Sequence, residues 1–417
     1  MNLVEVWLSD DSLGPDTRIG HLHRSVARGV DAIRFEYDAA WLRGHEAPQP
    51  FGLEPDLPPF AGPHYSTRTG QLQGLFQDLT PDRWGRALME RREAIEAREA
   101  ARPMRVLRDW DFLIGVNDAT RQGALRLRDP VCGEFVDARD RGAPPFARLR
   151  DLEALVARLE EPGVEQLPQY GEWLLQLVAP GASLGGARPK ASCVTEDGVA
   201  WIAKFPATDD RRDVGLWEML AHRLAMRAGI DMPEARAIRF SPRGHTFMVR
   251  RFDRVGQSRR LYASAMTLAG RNDGGTASYL DIVQAIEVVG ETGAIASDLE
   301  QLYRRVLFSV LVGNRDDHLR NHGFLRAAGG WRLSPAFDVN PNPDQAEHAL
   351  AIDEANPTPD SRLVFDSAPY YRLKPARARA IHAEVQAVVS AWREAACELG
   401  VTRAEVELLA TVIDPMR

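Results

Sequence analysis

The chain has 417 residues, 44% hydrophobic and 27% charged, with a formal net charge of -7. That length suits two or three domains or lobes of a globular protein, and the acidic balance argues against a duplex-wrapping protein, which needs a basic face to neutralise phosphates. No apolar run reaches the roughly 18 residues of a membrane span, the start Met1–Trp7 lacks the marks of a signal peptide, and three scattered cysteines (Cys132, Cys193, Cys397) suggest neither a disulfide framework nor a zinc site, so a cytoplasmic protein with no membrane partner is expected.

Residues 2–8 and 32–37 alternate and are rich in β-formers, which predicts strands of a small sheet. Residues 46–70, rich in Pro and Gly, read as loop. Thr80-Pro81 predicts a helix start, with Thr as N-cap and Pro at the first helical position, running to about Ala101. Pro103 ends it and sets a boundary, giving a first subdomain of 1–103. Phe112–Val116 predicts a helix or strand, and Gly123–Leu127 a strand. Leu149, Leu152, Leu155, Val156 and Leu159 keep helical spacing, so 148–161 is predicted to be an amphipathic helix, with loop over 162–170.

The run from Gly181 to Ser192 contains Ser183, Gly185, Gly186 and Lys190. Small residues of this kind let backbone N–H groups approach a phosphate closely. It is not a Walker A loop, because Ala-Arg follows Gly186 where Gly-Lys-[Ser/Thr] is required. A strand is predicted over 199–205, and Lys204 near its end matches the kinase strand whose lysine holds phosphate oxygens. Only three of the 52 basic residues are lysine (Lys190, Lys204, Lys374), a bias that a GC-rich genome explains and under which a surviving lysine gains interest. Arginine cannot replace a compact ammonium in a tight phosphate site. A helix is predicted from about Val214 to Ala228, stopping at Gly229, and it carries Glu218, which could pair with Lys204. On these residues alone, a glycine-rich turn and a surface lysine fit equally well. Thr246–Val249 reads as a buried strand. The extended run Arg250–Arg254 after it could hydrogen-bond an adenine through its backbone, or be a plain edge strand.

From 278 the chain reads as mostly helical. Ser278 and Asp281 form a capping-box pattern for a helix over 279–289. Leu299, Leu302, Val306, Leu307, Val310 and Leu311 line one face of a helix ending at Gly313. That helix delivers Asn314–His322, which holds two acids, two amides and two imidazoles. Asp316 and Asn321 have the D-x-x-x-x-N spacing of a protein-kinase catalytic loop, in which the Asp orients the attacking hydroxyl and the Asn holds Mg²⁺. Asp338, seventeen residues on, supplies a second metal-binding acid. Residues 341–361 read as exposed loop, and helices are predicted at about 375–398 and 403–413, the latter with the box Thr402 and Glu405. A zinc reading of His318 and His322 lacks a third imidazole nearby.

The order of parts is Gly-rich loop, strand lysine, helix Glu, extended linker, helical lobe, D-x-x-x-x-N, then Asp. Phosphoryl transfer needs these functions: cationic cover on the phosphates, oxygen ligands for Mg²⁺ and a carboxylate to position the nucleophile. The residues resemble the HipA family of serine/threonine kinase toxins from HipBA toxin–antitoxin modules. Ser183–Lys190 resembles that family's phosphate loop, Trp201–Lys204 its nucleotide-lysine strand, and Val249–Arg254 its hinge. Asn314–Asn321 resembles its catalytic loop, Phe337–Val339 its second metal motif, and Leu79–Trp84 with Gly123–Leu125 its N-terminal subdomain.

The resemblance implies an α+β, protein-kinase-like two-lobed fold: an extra N-terminal subdomain (1–103), a β-containing kinase N-lobe (104–254) and a mainly helical C-lobe (255–417). It implies Mg-ATP as cofactor and Asp316 as catalytic base, with Asn321 and Asp338 as Mg²⁺ ligands. ATP would be held by Ser183, Gly185, Gly186, Lys190 and Lys204, with Glu218, the hinge at Arg250, Phe252 and Asp253, and His318, itself expected to brace the loop. Ser183 matches the family's autophosphorylated serine. An aminoacyl-tRNA synthetase or other translation factor is the implied substrate, and a helix-turn-helix antitoxin of the HipB type the implied partner, with DNA reached only through it. Asp317, where a small residue is commoner, is expected to add negative charge beside the base. Two other classes compete: a non-catalytic kinase-like corepressor acting with a DNA-binding antitoxin, and a Mg²⁺-dependent phosphohydrolase, which leaves the Lys204 strand unexplained.

Overall fold

The computed structural model describes residues 1–27, 30–44, 49–67, 72–138, 143–181 and 188–413. They divide into two compact units, Met1–Thr208 with Arg250–Ala263, and Asp209–Val249 with Ser264–Arg417. The predicted segment 1–103 lies within the first, 104–254 is shared by both, and 255–417 lies in the second apart from Val255–Ala263.

The first unit opens with an antiparallel sheet built from β1 (Leu3–Leu8), β2 (Thr17–Ala27), β3 (Val30–Tyr37), β4 (Pro63–Tyr65) and β5 (Leu125–Arg128), in the order β4-β3-β2-β1-β5. Alternation places Val4, Val6 and Leu8 of β1 and Ile33, Phe35 and Tyr37 of β3 in the core. Phe35 meets Phe76 at 5.4 Å between ring centroids. The strand β2 went unread, because its own residues mix polarity, with Arg18, His21, His23 and Arg24 among Ile19, Leu22 and Val26.

Helix α1 covers Arg83–Glu99, and its N-cap is Asp82, not Thr80. The Asp82 carboxylate accepts from Gly85 N at 2.8 Å, whereas the Thr80 hydroxyl donates to Gln77 O at 2.7 Å. A carboxylate at the positive end of the helix outcompetes the hydroxyl two residues earlier. The amphipathic pattern at 148–161 folds as α2 (Leu149–Leu159), and α3 (Tyr170–Gly181), not foreseen, follows. The β6 (Lys190–Val194) and β7 (Ala200–Lys204) strands then pair antiparallel.

In the second unit, α4 (Val214–Arg227) is capped by Asp213, and β8 (Ala235–Ser241) pairs with β9 (Gly244–Arg250) over the part within the unit. Helix α5 (Tyr279–Val289) carries the expected capping box between Ser278 and Asp281. Helix α6 (Ile295–Val312) is buried on more than the predicted face: Tyr303, Arg304, Arg305, Phe308 and Ser309 join the leucines and valines inside. Arg305 is tolerated there because it donates to Ser334 O at 2.6 Å, while burial lowers its pKa to about 10. The hairpin β10 (Gly323–Ala327) and β11 (Gly330–Leu333) follows; the helix expected over 375–398 is split at Ala391 into Pro375–Ser390 and Trp392–Glu398, and the one expected over 403–413 covers Arg403–Leu409. Among the described residues no helix is long and apolar enough to cross a membrane.

Candidate active site

Helix α6 ends because Gly313 turns left-handed, at φ 69°. A side chain there would strike Val412, whose Cβ lies 2.8 Å from the position of an added Cβ. The chain therefore leaves the helix axis at once and forms the turn carrying Asp316 to Asn321, closed by a short 3-10 segment over Leu319–Asn321.

Asp316 and His318 are exposed, whereas Asn314, Arg315, Asp317 and Leu319 around them are buried. One Asp316 oxygen accepts from the Gln345 side chain at 3.2 Å. Asn321 donates its side-chain N–H to the Asp316 carbonyl at 3.5 Å, which turns its amide oxygen the other way. The segment after β11 is pinned to this turn. Asn340 N donates to the Asn314 side chain at 3.1 Å, Asn342 N to Gly313 O at 2.8 Å, and Ala349 N to Arg315 O at 2.9 Å, while Arg315 donates to Gln345 O. Within that segment Asp338 is half-buried and adopts φ 58°, a left-handed conformation that few residues other than glycine take. Such outliers cluster where a side chain must be aimed.

The donors Asp316, Asn321 and Asp338 are all oxygen ligands, the kind a hard cation takes. Among the described residues no group of three His, Cys, Asp or Glu assembles that could hold a metal. Mg²⁺ is commonly held by one or two carboxylates together with substrate phosphates and water.

Asp317 carries its charge next to Asp316 from a buried position, at 4% exposure. Its carboxylate points inward, accepting from the Tyr279 hydroxyl at 2.8 Å, the Ser309 hydroxyl at 3.4 Å and the His322 ring, whose Nε2 lies 3.1 Å away. Burial alone would raise its pKa, but His322 and the hydrogen bonds from His322 and Tyr279 outweigh it and hold the carboxyl below its usual range. Burial, and then the Asp317 charge, push the Tyr279 phenol well above its ordinary value, so it stays a donor. The brace expected of His318 is thus supplied by His322.

In the first unit Ser183, Gly185 and Gly186 lie outside the described residues. Lys190 is 2% exposed and pairs with Asp82 at 2.7 Å. Lys204 is half-buried and stands opposite Lys190 in the β6–β7 register. Like charges directly opposite each other destabilise a sheet, and Asp82 offsets the Lys190 charge. In the second unit Glu218 is buried in α4.

Arg250 is exposed, Phe252 half-buried and Asp253 buried. Asp253 is a hub within the first unit: it accepts from Arg251 at 2.7 and 2.9 Å, Arg254 at 2.8 Å and Gly123 N at 2.8 Å. Burial would raise its pKa, yet the Arg251 and Arg254 guanidiniums hold it far below the carboxylate range. Arg251 N donates to Ala200 O at 2.9 Å, which ties this segment to β7.

Sequence reasoning had no signal for Gln345, Tyr279 or Ser309 as neighbours of the loop. Asp82 lay in a stretch already singled out, but 108 residues from Lys190.

Comparison with known proteins gives three findings. The family model for the HipA-like C-terminal domain matches residues 182–392, and that for the HipA N-terminal domain matches 5–108. A candidate kinase of Haemophilus influenzae is 24% identical over 208 residues, 43% of this chain and 60% of that protein's length. A solved structure of the Shewanella oneidensis toxin–antitoxin system HipA, HipB and its operator DNA aligns with a TM-score of 0.65 and 17% identity, covering 98% of this chain and 96% of that one. At that identity the match speaks for the fold, which is the α+β architecture expected.

Proposed function

The chain belongs to the HipA family, and from that premise we propose that it is a Mg-ATP-dependent serine/threonine protein kinase. The observation that carries the reading is the exposed turn with Asp316 and Asn321, joined by a 3.5 Å contact and backed by the strained Asp338 segment.

In this reading the Asp316 carboxylate accepts the proton of a serine or threonine hydroxyl. The freed oxygen bonds to the γ-phosphorus as the bond to the ADP oxygen breaks. Gln345 donates to one Asp316 oxygen and so limits the carboxylate's rotation. Asn321 and Asp338 would hold Mg²⁺, which when bound offsets phosphate charge. Lys204, with Glu218, would face the α/β-phosphates, and the backbone at Arg250 and Phe252 would hold adenine. The Asp253 hub braces that segment. Ser183, inside the phosphate loop, would be an autophosphorylation site. Phosphoserine adds roughly -1.5 to -2 charge beside the nucleotide's own phosphates, which disfavours the closed loop.

The reading extends to a toxin component acting with a helix-turn-helix antitoxin of the HipB type. DNA is then bound through the antitoxin, in keeping with the chain's net charge of -7. Its substrate would be a translation-related protein such as an aminoacyl-tRNA synthetase.

Incubation with Mg-ATP followed by intact-mass measurement and peptide mapping tests the activity. Phosphoprotein, with phosphate on Ser183, is expected. Free phosphate without phosphoprotein would favour a hydrolase, and neither product would favour a corepressor.

A further inference from the structure

The turn contains the same spacing twice. Asp316 and Asn321 are five residues apart, and so are Asp317 and His322, one residue further on. The first pair is exposed or half-buried, whereas the second is buried, at 4% exposure for each residue. We propose that Asp317 and His322 are a positioning pair: their buried contact sets the separation and facing of Asp316 and Asn321, the residues immediately before them.

The geometry supports a rigid link. His322 Nε2 sits 3.1 Å from Asp317 Oδ1 and 3.2 Å from Oδ2. The Asp317 carboxylate is also held by Tyr279 of α5 and Ser309 of α6, so the pair is referenced to two helices and not only to itself. Ser309 in turn accepts from the Asn314 amide at 3.3 Å, and Asn314 receives Asn340 N, which lies two residues after Asp338. The His322 ring stands edge-on to Tyr279, at 5.8 Å between centroids and 90° between planes. Its carbonyl accepts from Ala265 N at 2.7 Å. One connected network thus fixes all three oxygen donors, Asp316 and Asn321 through the adjacent backbone and Asp338 through Asn340. Each member is nearly buried except Asn340, so the network lacks the slack that water would allow.

This inference rests on the kinase reading for the meaning of the positioning, but not for its existence. The test uses the full chain and three variants: His322→Leu, which deletes the donor; His322→Gln, whose amide nitrogen reaches about as far as Nε2; and Asp317→Asn. Hydrogen exchange over 314–323 reports the turn directly. In parallel, kcat, the KM for ATP and the Mg²⁺ concentration for half-maximal rate are measured.

His322→Leu should raise exchange in the turn and lower kcat roughly tenfold or more, since ångström-scale misplacement of reacting groups is costly. The KM for ATP should stay within about twofold while the Mg²⁺ requirement rises. His322→Gln should recover most of both losses. If His322→Leu does not fold, His322→Gln against Asp317→Asn decides, with the first expected near wild type and the second impaired. Wild-type exchange and kcat in folded His322→Leu would overturn the proposal, as would equal losses in His322→Leu and His322→Gln. A wild type without phosphoryl transfer would defeat the kinase reading instead, and exchange alone would then decide the pair.

Discussion

Asp253 and Asp317 are both buried carboxylates beside a segment with a proposed role, and both are held below the ordinary carboxylate pKa, yet by different partners. Asp253 faces two guanidiniums and one backbone N–H. Asp317 faces a phenol, a hydroxyl and an imidazole. The first arrangement is an ion network whose removal strands cations in the interior. The second is a set of directed hydrogen bonds that lose an anchor without leaving a guanidinium unpaired. The first therefore acts chiefly on stability, the second on the placement of groups.

Asp253→Ala is the harshest way to probe this contrast. It leaves Arg251 and Arg254 buried without their carboxylate and should cost about 3–5 kcal/mol, read by denaturant unfolding. A loss as small as that of a surface substitution would mean the network is hydrated. Asp317→Asn keeps an acceptor and removes the charge, so a smaller loss of about 1.5–3 kcal/mol is expected. If Asp317→Asn proves as destabilising as Asp253→Ala, the distinction between the two devices falls.

Acid titration probes the contrast most gently. Both carboxyls are depressed in the folded state, so each contributes stability that is present above the unfolded value of about 3.9 and is lost as pH falls below it toward the folded value. Each depressed carboxyl should add a slope of up to about 1.4 kcal/mol per pH unit in that range. Asp253→Asn should flatten the stability profile between about pH 4 and pH 2 relative to wild type, measured by urea unfolding across that range. A profile unchanged by the substitution would show that Asp253 is not held below its ordinary value.

Much of the helical lobe was legible because its signals are local. The Ser278–Asp281 and Thr402–Glu405 boxes, the Gly313 stop and the apolar spacing of α6 each act within a few residues. That Asp316 and Asn321 share one turn was legible for the same reason. What the sequence hid was direction and distance. In a turn without regular period nothing shows that Asp317 points inward, and only its charge beside Asp316 could be read. The Lys190–Asp82 pair joins residues 108 apart, and Tyr279 reaches Asp317 across 38. Partners at such separations are chosen by packing, not by local propensity. The α1 cap was misplaced by two residues because three polar or cyclic starters, Thr80, Pro81 and Asp82, stand together, and only geometry selects the carboxylate.

In the proposed reaction Asp316 accepts the proton while the residues around it hold it in place. The direct measurement is the rate of phosphoryl transfer from Mg-ATP by Asp316→Asn beside wild type, with thermal unfolding of both. The substitution keeps the side chain's size and its contact with Gln345, but removes the proton-accepting carboxylate. Transfer should fall by roughly a hundredfold or more while the unfolding midpoint stays put. Wild-type transfer by a folded Asp316→Asn protein would contradict the assignment of the base.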